Sequence, residues 1–308
     1  MQFNFSDADA RAALGFVRSQ ATHIEREVYK TQYPDIQYPN LVPVDTSANP
    51  FVKTVTYYSS DMTGKADWIN GNSDDVPKAD TSMGEHQTEV HTAGIGYGYG
   101  WEELNYAQMV GHNLSSDRAE AARRAYEEMV DRVALMGDTG KGFSGLFDYP
   151  GVPTASAETG GWDSAEPDAI VEDVNAALMG VYEGTNTVSM ADTLLLPYQR
   201  IRYLNRRLPN STSSVMDYMM QYNVYTTATG NPLTIRGIRG LNTAGAGGTP
   251  RMVAYRRSPD VLKLHIPMPH RFLPARQSGA LRFDVPGVFR LGGLDIRRPA
   301  EVSYVDGV

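Results

Sequence analysis

The sequence contains no cysteine among its 308 residues. Disulfide bonds and thiolate metal sites are therefore excluded, and the composition suits a reducing compartment. Long apolar runs are also lacking, and with a mean hydropathy of −0.38 the chain is expected to have no membrane-spanning segment. The first residues lack a basic segment followed by an apolar one, so no signal peptide is expected. Hydrophobic residues make up 41% of the chain, which is typical of a globular protein.

Sequence motifs for nucleotide binding and nucleophilic catalysis are lacking as well. Gly140-Lys141-Gly142 has neither the hydroxyl residue nor the upstream glycine of a phosphate-binding loop. The glycines between 94 and 100 alternate with other residues and do not form the Gly-x-Gly-x-x-Gly pattern of a dinucleotide site. Residues 142–145 lack the Gly-x-Ser-x-Gly spacing of a nucleophile elbow. We therefore predict no cofactor, no catalytic residue and no enzymatic activity.

Histidines are few, and their spacing does not favour a metal site. His86, Glu89 and His91 lie close in sequence, but in a strand His86 and His91 would point to opposite faces. A solvated loop edge is the preferred interpretation of this group, and no metal is predicted. His265 and His270 flank two prolines, which indicates a structural turn.

Charge is distributed unevenly along the chain. The net charge is −8, from 36 acidic and 28 basic residues. Residues 1–198 hold 12 basic and 30 acidic residues, a net charge of −18, whereas residues 199–308 hold 16 and 6, a net charge of +10. Such a division suits contacts between subunits, where it sets orientation and association rate. Two surfaces of one monomer, or a basic nucleic-acid face on the C-terminal part, remain alternatives.

A long amphipathic helix is predicted over residues 116–136. Ser116 is placed to cap its start, and Gly137 is placed to end it in the left-handed conformation. At about 1.5 Å per residue it forms a rod of roughly 30 Å, which suits a scaffold better than a catalytic element. Its charged face can hold the pairs Glu120–Arg124, Arg124–Glu128 and Glu128–Arg132. Its apolar stripe comprises Ala119, Ala122, Tyr126, Met129, Val133 and Met136.

The segments before this helix are predicted to be extended. A helix over residues 6–29 is followed by four residues that each precede a proline and are therefore biased toward extended geometry. We interpret residues 30–50 as an arm that lies on another surface. Residues 51–100 are predicted as a long β-excursion, with strands at 51–58 and 85–101 around a polar stretch at 59–82. In the second strand alternating glycines leave one face bare, which allows another backbone to approach closely.

The remaining pattern predicts an α+β protein with strands in two separate parts of the chain. Strands dominate from residue 233 onward, and residues 153–168 are loop-like. The predicted elements are helices at 102–110, 169–182, 198–208 and 215–221 and a short buried strand at 193–196.

An ordered series of short motifs resembles the major capsid proteins of tailed bacteriophages, which have the Hong Kong 97 or Johnson fold. The resemblance covers roughly residues 28–308, and its specificity lies in the order and spacing of the pieces. More narrowly, the series is similar to the branch described as the major capsid family. The pieces are Leu41-Val-Pro-Val44, Asp74-Asp-Val-Pro77, Tyr97-Gly-Tyr-Gly-Trp-Glu-Glu-Leu104, Ala121-Ala-Arg-Arg-Ala-Tyr126, Gly137-Asp-Thr-Gly140, Gly145-Leu-Phe-Asp-Tyr-Pro-Gly-Val152, Ala191-Asp-Thr-Leu-Leu-Leu-Pro197, Arg251-Met-Val-Ala-Tyr255, His265-Ile-Pro-Met-Pro269, Gly292-Gly-Leu-Asp-Ile-Arg-Arg-Pro299 and Tyr304-Val-Asp-Gly307.

The resemblance implies a division of the chain into five parts. These are an N-terminal arm at 1–50, an extended loop at 51–100, a peripheral domain at 101–175 with a spine helix at 116–136, an axial domain at 176–280, and C-terminal strands at 281–308 that return to the peripheral domain. It also directs attention to residues for contacts between subunits. We predict this role for Tyr33, Tyr38, Lys65, Trp68, Asp74, Asp75, Lys78, Arg200, Arg206 and Arg207.

The function that the resemblance implies is structural. Copies of the chain would assemble into hexamers and pentamers of an icosahedral shell that encloses phage double-stranded DNA. Portal, scaffold and decoration proteins are implied partners, DNA contact would be non-specific, and no membrane partner is expected. The implied location is the virion capsid, with assembly in the host cytoplasm. Alternatives are an encapsulin-like compartment shell, a tail or decoration protein, and a hydrolase.

Overall fold

Helices and strands follow one another irregularly along the chain, as the predicted α+β class requires. The computed structural model describes residues 33–68, 76–103, 114–209 and 211–308. By their contacts, residues 1–35 form one unit and residues 36–308 a second one. The predicted helix at 6–29 and most of the helix predicted at 102–110 lie outside the described residues.

Six α-helices fall within the described ranges. They are α1 (Tyr38–Leu41), α2 (Leu114–Met136), α3 (Pro167–Gly184), α4 (Tyr198–Leu204), α5 (Val215–Tyr222) and α6 (Val224–Thr229).

The described residues also contain eighteen short strands. The first nine are β1 (Val44–Asp45), β2 (Thr54–Thr63), β3 (Asp80–Glu89), β4 (His91–Gly94), β5 (Tyr97–Gly100), β6 (Gly137–Asp138), β7 (Phe143–Ser144), β8 (Thr154–Ser156) and β9 (Thr193–Pro197). The others are β10 (Thr234–Ile238), β11 (Arg251–Tyr255), β12 (Leu262–His265), β13 (Met268–Phe272), β14 (Arg276–Gly279), β15 (Arg282–Val285), β16 (Gly287–Leu291), β17 (Leu294–Ile296) and β18 (Val302–Asp306).

Helix α2 is the predicted spine helix. It begins at Leu114, so Ser116 lies inside it and the predicted cap is wrong. Its C-terminal end is as predicted, because Gly137 follows it with a φ of 80°, in the left-handed region. On the charged face, Arg124 Nε donates to Glu128 over 2.9 Å.

The buried face of α2 is wider than the predicted stripe. Val130, Ala134 and Leu135 are buried in addition to the predicted Ala122, Tyr126 and Val133, whereas Met136 is exposed. The cause is a second covering segment, since the amides of Leu146 and Phe147 donate to the carbonyls of Ala134 and Leu135.

Glycine is required where this segment meets the helix. A Cβ added at Gly145 would lie 2.4 Å from the carbonyl oxygen of Leu135, which no side chain tolerates.

A five-stranded mixed sheet in the order β10-β9-β11-β18-β8 divides the interior. Successive side chains of a strand point to opposite faces, and the sheet uses both. Leu195 of β9 joins one hydrophobic core, whereas Leu194 and Leu196 join the other. The first core includes buried residues of α2, β12, β16 and β17, and the second includes those of α3 to α5. Four further sheets pair β1-β12-β17, β13-β16-β4, β14-β15-β5 and β2-β3, and β6 pairs with β7.

Part of the predicted arm is packed into the subunit itself. Tyr38, Leu41 and Val42 are buried in the first core. The Asp131 carboxylate of α2 accepts the amides of Gln37 and Tyr38 over 2.9 and 2.8 Å. The expectation that the arm lies on another surface is therefore wrong for residues 36–42. Hydrogen bonds to the half-buried carboxylate of Asp131, some ninety residues away along the chain, hold this stretch in place.

The substitution Asp131→Ala is expected to release this anchor. It leaves two backbone amides without an acceptor, which costs about 1–3 kcal/mol when such groups are buried. Urea unfolding and the rate of proteolysis within residues 33–45 measure the effect. The control is Glu128→Ala on the same helix, which removes an exposed i,i+4 pair worth about 0.5 kcal/mol or less. Equal losses of stability and equal proteolysis rates for the two variants would contradict the role of Asp131 in holding residues 36–42.

Candidate assembly surfaces

The hairpin of β2 and β3 is largely exposed. Its strands pair antiparallel over ten residue pairs, from Thr54↔Glu89 to Thr63↔Asp80. At about 3.4 Å per residue each strand is roughly 30 Å long. The strand predicted at 51–58 is observed at Thr54–Thr63, so it lies later in the chain and is longer. Polar residues at both ends of the loop predicted at 59–82 therefore belong to the two strands of the hairpin. The prediction failed because both faces are solvated, so no apolar alternation marks the strands.

One face of this hairpin carries three large apolar side chains. Directly paired residues share a face, and Tyr58, Met62 and Met83 lie on the same one. These side chains are 66%, 83% and 74% exposed. We call Tyr58, Met62, Met83 and Glu85, which pairs with Tyr58, the apolar hairpin face. Exposed apolar side chains grouped in this way mark an interaction site.

The other face of the hairpin is polar. Its Tyr57 and His86 rings stack at 4.8 Å, and the Arg297 guanidinium lies 4.9 Å from the centre of the Tyr57 ring. At the end of the hairpin Trp68 is fully exposed, and the predicted contact residues Lys65 and Lys78 are exposed too. The predicted contact residues Asp74 and Asp75 lie outside the described residues.

The hairpin is acidic, and within its described part most carboxylates have no cationic partner. Residues 54–89 contain seven acidic residues and two lysines, a net charge of −5. Within the described part of the hairpin, only Glu89 forms an ion pair, with His91 at 3.5 Å and only when that histidine is protonated. Glu85 accepts a hydrogen bond from the side-chain amide of Gln87 over 2.7 Å. A cationic surface elsewhere would therefore complement this hairpin.

The glycines after the hairpin permit close backbone approach, as predicted. A Cβ added at Gly94 would lie 2.7 Å from the carbonyl oxygen of Gly287, and one at Gly96 would lie 2.4 Å from that of Val285. The approaching backbone belongs to the same chain. It is the connection from β15 to β16, which returns the late strands to the β-excursion.

The β14-β15-β5 sheet turns its aromatic face inward. Tyr99 of β5 is buried and pairs with Phe283 of β15. The Arg118 guanidinium of α2 lies 5.3 Å from the centre of the Tyr99 ring and donates to the carbonyl of Gly98. This face therefore rests on the spine helix.

The opposite face of this sheet carries charged side chains, and the Asp284 carboxylate lies over Gly98, where an added Cβ would be 2.4 Å from its Oδ1. Gly98 pairs with Asp284, which pairs with Arg276, and Gly100 pairs with Arg282. The Arg282 side chain donates to Asp284 over 3.1 Å, and Arg276 is exposed and forms no ion pair within the described residues. A Cβ added at Gly100 would meet no atom within 4 Å. We call these five residues the open glycine face.

Two of the predicted contact arginines are engaged within the subunit. Arg200 donates to Asp163 over 2.7 Å, and Arg206 donates to the carbonyl of Ala165 over 2.9 Å. Tyr203 also donates to Asp163. The hydrogen bonds from Tyr203 and Arg200, together with the charges of Arg200 and Arg202, hold the pKa of Asp163 below its usual range.

Tyr38 is likewise engaged within the subunit, because its side chain is buried and its hydroxyl donates to Glu127 over 2.8 Å. Burial, the bond to Glu127 and the nearby carboxylates raise the pKa of Tyr38 far above its usual value. Tyr38, Arg200 and Arg206 therefore make their polar contacts within the subunit. Tyr33 and Arg207 are exposed and stay predictions.

A buried ion pair that the sequence analysis missed joins three of the motifs quoted above. Arg251 of β11 donates through Nε and Nη2 to Asp306 of β18 over 2.6 and 2.9 Å, and through Nη1 to the carbonyl of Phe147 over 2.7 Å. Tyr304 lies beneath its guanidinium at 4.6 Å and donates to the carbonyl of Leu146 over 2.7 Å. This pair fixes segment 145–152 on the central sheet.

Burial disfavours the charged form of both Arg251 and Asp306, but the ion pair between them outweighs this effect of burial. Burial alone would raise the pKa of Asp306, but the bonds from Arg251 and from the amide of Ala246 hold that pKa below its usual range. The bond to Asp306 raises the pKa of Arg251. The only sequence signal for this site was the presence of Arg251 and Asp306 inside quoted motifs.

The histidine groups occupy structural positions. His265 is buried, with Asp45 and Asp295 each at 3.8 Å from a ring nitrogen. His270 stacks on Tyr126 and lies 3.0 Å from the carbonyl of Ile95. Among the described residues, no group of three metal-ligating side chains is close enough to hold an ion. In the same residues, no helix combines the length and apolarity that a bilayer crossing requires.

The fold is that of phage capsid proteins, as comparison with solved structures shows. The capsid of Myoviridae phage XM1 is similar with a TM-score of 0.80 and 18% identity, over 94% of this chain and 98% of that chain. A structure from Mycobacterium phage Bobi has a TM-score of 0.63 and 13% identity, over 99% of both chains. The capsid of a native GTA particle has a TM-score of 0.65 and 10% identity, over 92% of this chain and 94% of that chain. The predicted Hong Kong 97-type fold is confirmed.

The comparison of sequences identifies the family. The family model described as "Major capsid protein" matches residues 64–308, and the chain belongs to that family. A comparison with curated proteins finds no match. The chain is thus a head shell protein of the virion capsid, and the alternatives of a compartment shell, a tail protein or a hydrolase are not favoured. That it catalyses no reaction stays a prediction.

Proposed function

We propose that copies of this chain form the hexamers and pentamers of an icosahedral shell that encloses phage double-stranded DNA. Assembly takes place in the cytoplasm of the host bacterium. The shell incorporates a portal and any scaffold or decoration proteins of the phage, and it contacts DNA without sequence specificity. Family membership supports the shell, and the excess of basic residues after position 198 supports contact with DNA.

The hairpin of β2 and β3 is the single observation that carries this proposal. Among the described residues, Tyr58, Met62 and Met83 belong to neither hydrophobic core, and Trp68 is fully exposed. An apolar side chain gains up to about 1.5–3 kcal/mol when it is fully buried. A neighbouring copy that covers the hairpin would supply this stabilisation, and the predicted contacts of Lys65, Lys78, Tyr33 and Arg207 belong to the same kind of interface.

The two hydrophobic cores support the proposed domain roles. The first core holds the spine helix α2 and the late strands β16 to β18, which fits a peripheral domain at 101–175 completed by residues 281–308. The second core holds α3 to α5, of which α4 and α5 fit an axial domain at 176–280, whereas α3 begins at Pro167, in the range assigned to the peripheral domain. Strand β12 contributes to the first core, although the sequence division placed it in the axial domain.

Negative-stain electron microscopy of the expressed full chain tests the proposal. We expect closed shells of one or a few diameters, formed by the chain alone or with the other head genes of its phage. Nuclease-protected DNA is expected inside shells that form with the packaging genes. Only subunits or open tubes under both conditions would contradict the shell, and shells with a protein cargo would favour a compartment.

A further inference from the structure

We propose that His265 is a pH-dependent link between the arm strand β1 and the late strand β17. When protonated, it holds the carboxylate of Asp45 in β1 on one side and the carboxylate of Asp295 in β17 on the other. Loss of the proton loosens β1. The inference goes beyond the proposed function, because it concerns how one subunit holds its own arm strand.

The histidine lies between two carboxylates in the interior. His265 belongs to β12, the middle strand of the sheet β1-β12-β17, and is 1% exposed. Its Nδ1 is 3.8 Å from Oδ2 of Asp45, and its Nε2 is 3.8 Å from Oδ2 of Asp295. Within the described residues this Nε2 is buried without a hydrogen-bond partner. Protonation makes both ring nitrogens donors, so each would lie beside an acceptor.

Two cations that do not respond to pH near neutrality flank the same carboxylates. Lys263 Nζ lies 3.7 Å from Asp45, and Arg297 Nε lies 3.3 Å from Asp295. Lysine and arginine side chains ordinarily keep their charge between pH 5 and 8, whereas histidine changes its charge in this range. His265 is therefore the member of this group whose charge can report the pH.

Asp45 stays charged throughout this range. Hydrogen bonds from the hydroxyl and the amide of Ser47, together with the charges of Lys263 and His265, hold the pKa of Asp45 below its usual range. The carboxylate that β1 supplies to the link is thus present whenever the histidine is protonated.

Other titratable groups border this site without replacing the histidine. Burial and the charge of Asp295 raise the pKa of Tyr57 in β2 to about 12, and burial raises the pKa of Tyr149, so both rings stay neutral. His86 of the hairpin stacks on Tyr57 at 4.8 Å. It is the second histidine that a test has to separate from the first.

A third histidine lies on the side of β4. Val90 packs beside His265 across Gly292, and the neighbours of Val90, Glu89 and His91, lie 3.5 Å from each other. This pair has its own charge partner and belongs to another strand pair.

Strand β1 has few other contacts that hold it. It is two residues long, and it pairs with β12 through the amides of Leu264 and Ile266, which donate to the carbonyls of Pro43 and Asp45 over 2.9 Å each. Val44 is 40% exposed, so little apolar surface is buried there. The contacts of the Asp45 side chain are therefore a large part of what fixes this end of the arm.

Alternate amides of β12 report the two sides of the link separately. The amides of Leu264 and Ile266 donate to β1, whereas the amide of His265 donates to the carbonyl of Gly293, on the side of β17, over 3.0 Å. We define the arm ratio as the hydrogen-exchange protection of the first two amides divided by that of the third. Opening of the whole sheet changes all three amides together, so the arm ratio isolates the hold on β1.

The test measures the arm ratio of the full chain between pH 5.5 and 8 by mass spectrometry with single-residue resolution, in one assembly state. In the parent the ratio should fall at least about tenfold as the pH rises, because a hydrogen bond to a charged group supports a change of this size. In His265→Gln, which keeps a polar side chain that does not titrate, it should change by less than about twofold. His270→Gln is the control and should keep the fall, since His270 stacks on Tyr126 and forms no ion pair within the described residues.

A constant arm ratio in the parent would overturn the proposal, and so would a fall that persists in His265→Gln. A fall that disappears only in His86→Gln would assign the response to the hairpin instead. Asp45→Asn supplies the answer if His265→Gln does not fold, because it keeps the histidine and removes the charge that the histidine holds. Its ratio should be low and independent of pH, and a fall like that of the parent would also overturn the link.

Discussion

Deletion of residues 60–80 is expected to abolish shell formation and to leave the subunit folded. In this variant the paired residues Ser59 and Gly84 are joined through residues 81–83, and loops of this length close hairpins. None of the described residues between 60 and 80 belongs to either core, so the free energy of unfolding should fall by less than about 1 kcal/mol. Electron microscopy measures the loss of shells, and thermal unfolding measures the stability of the subunit.

The loss of assembly follows from the contacts that the deletion removes. Met62 and Trp68 are lost, and the ribbon keeps only six of its ten residue pairs. The length-preserving control is Met62→Ser with Met83→Ser, which keeps the ribbon and removes only apolar surface; it should weaken assembly without abolishing it. Normal shells from the deletion variant would refute a role of the hairpin in assembly.

The substitution Arg251→Met is expected to lower the free energy of unfolding by roughly 3–5 kcal/mol. It leaves the carboxylate of Asp306 buried with only the amide of Ala246 as a donor, and it removes the bond to the carbonyl of Phe147. Urea unfolding of the hairpin-deletion subunit is the suitable measurement, because shell formation would add stability by mass action.

Arg202→Met is the matched control for this experiment. The Arg202 guanidinium also lies 4.6 Å from a tyrosine ring, but its side chain is 70% exposed. Its removal should cost about 1 kcal/mol or less. The double variant Arg251→Met with Asp306→Leu should recover most of the loss, because a buried pair replaced by apolar residues leaves no unpaired charge. Equal losses for Arg251→Met and Arg202→Met would contradict the importance of burial.

The pH dependence of stability should differ between the parent and Arg251→Met. The pKa of Asp306 is depressed in the folded state, so its contribution is complete above the unfolded value of about 3.9 and is lost as the pH falls through the folded value. The pKa of Glu301 is also depressed, since bonds from Arg256 and Arg298 outweigh its burial. The parent should therefore lose stability below about pH 4, and Arg251→Met should lose less over the same interval.

Elements with strong local periodicity could be predicted from the sequence. The spine helix, the helix at Pro167–Gly184 and the buried strand at Thr193–Pro197 were all recognised within a few residues. Each has a buried face that imposes a period on the apolar residues. The buried face at the end of α2 was predicted wrongly because a distant segment covers the last turns of the helix, and no local pattern contains that information.

Features that depend on distant partners were missed. Tyr38 reads as part of an exposed proline-rich arm until Glu127 and Asp131 are brought beside it. Arg251 and Asp306 are separated by 55 positions and adjoin only because β11 and β18 pair. The open glycine face likewise needs β5 to pair with β15, so the glycine alternation alone indicated close approach without showing which side stays free.

The position of β18 constrains the order in which a subunit can mature. This strand follows every other described element along the chain, yet it lies between β11 and β8 and supplies Asp306 to Arg251. A nascent polypeptide on the ribosome therefore lacks an interior strand of its central sheet until residue 306 has emerged. Truncated translation products would be left with an open sheet edge and an unpaired internal cation, which would exclude them from the growing particle.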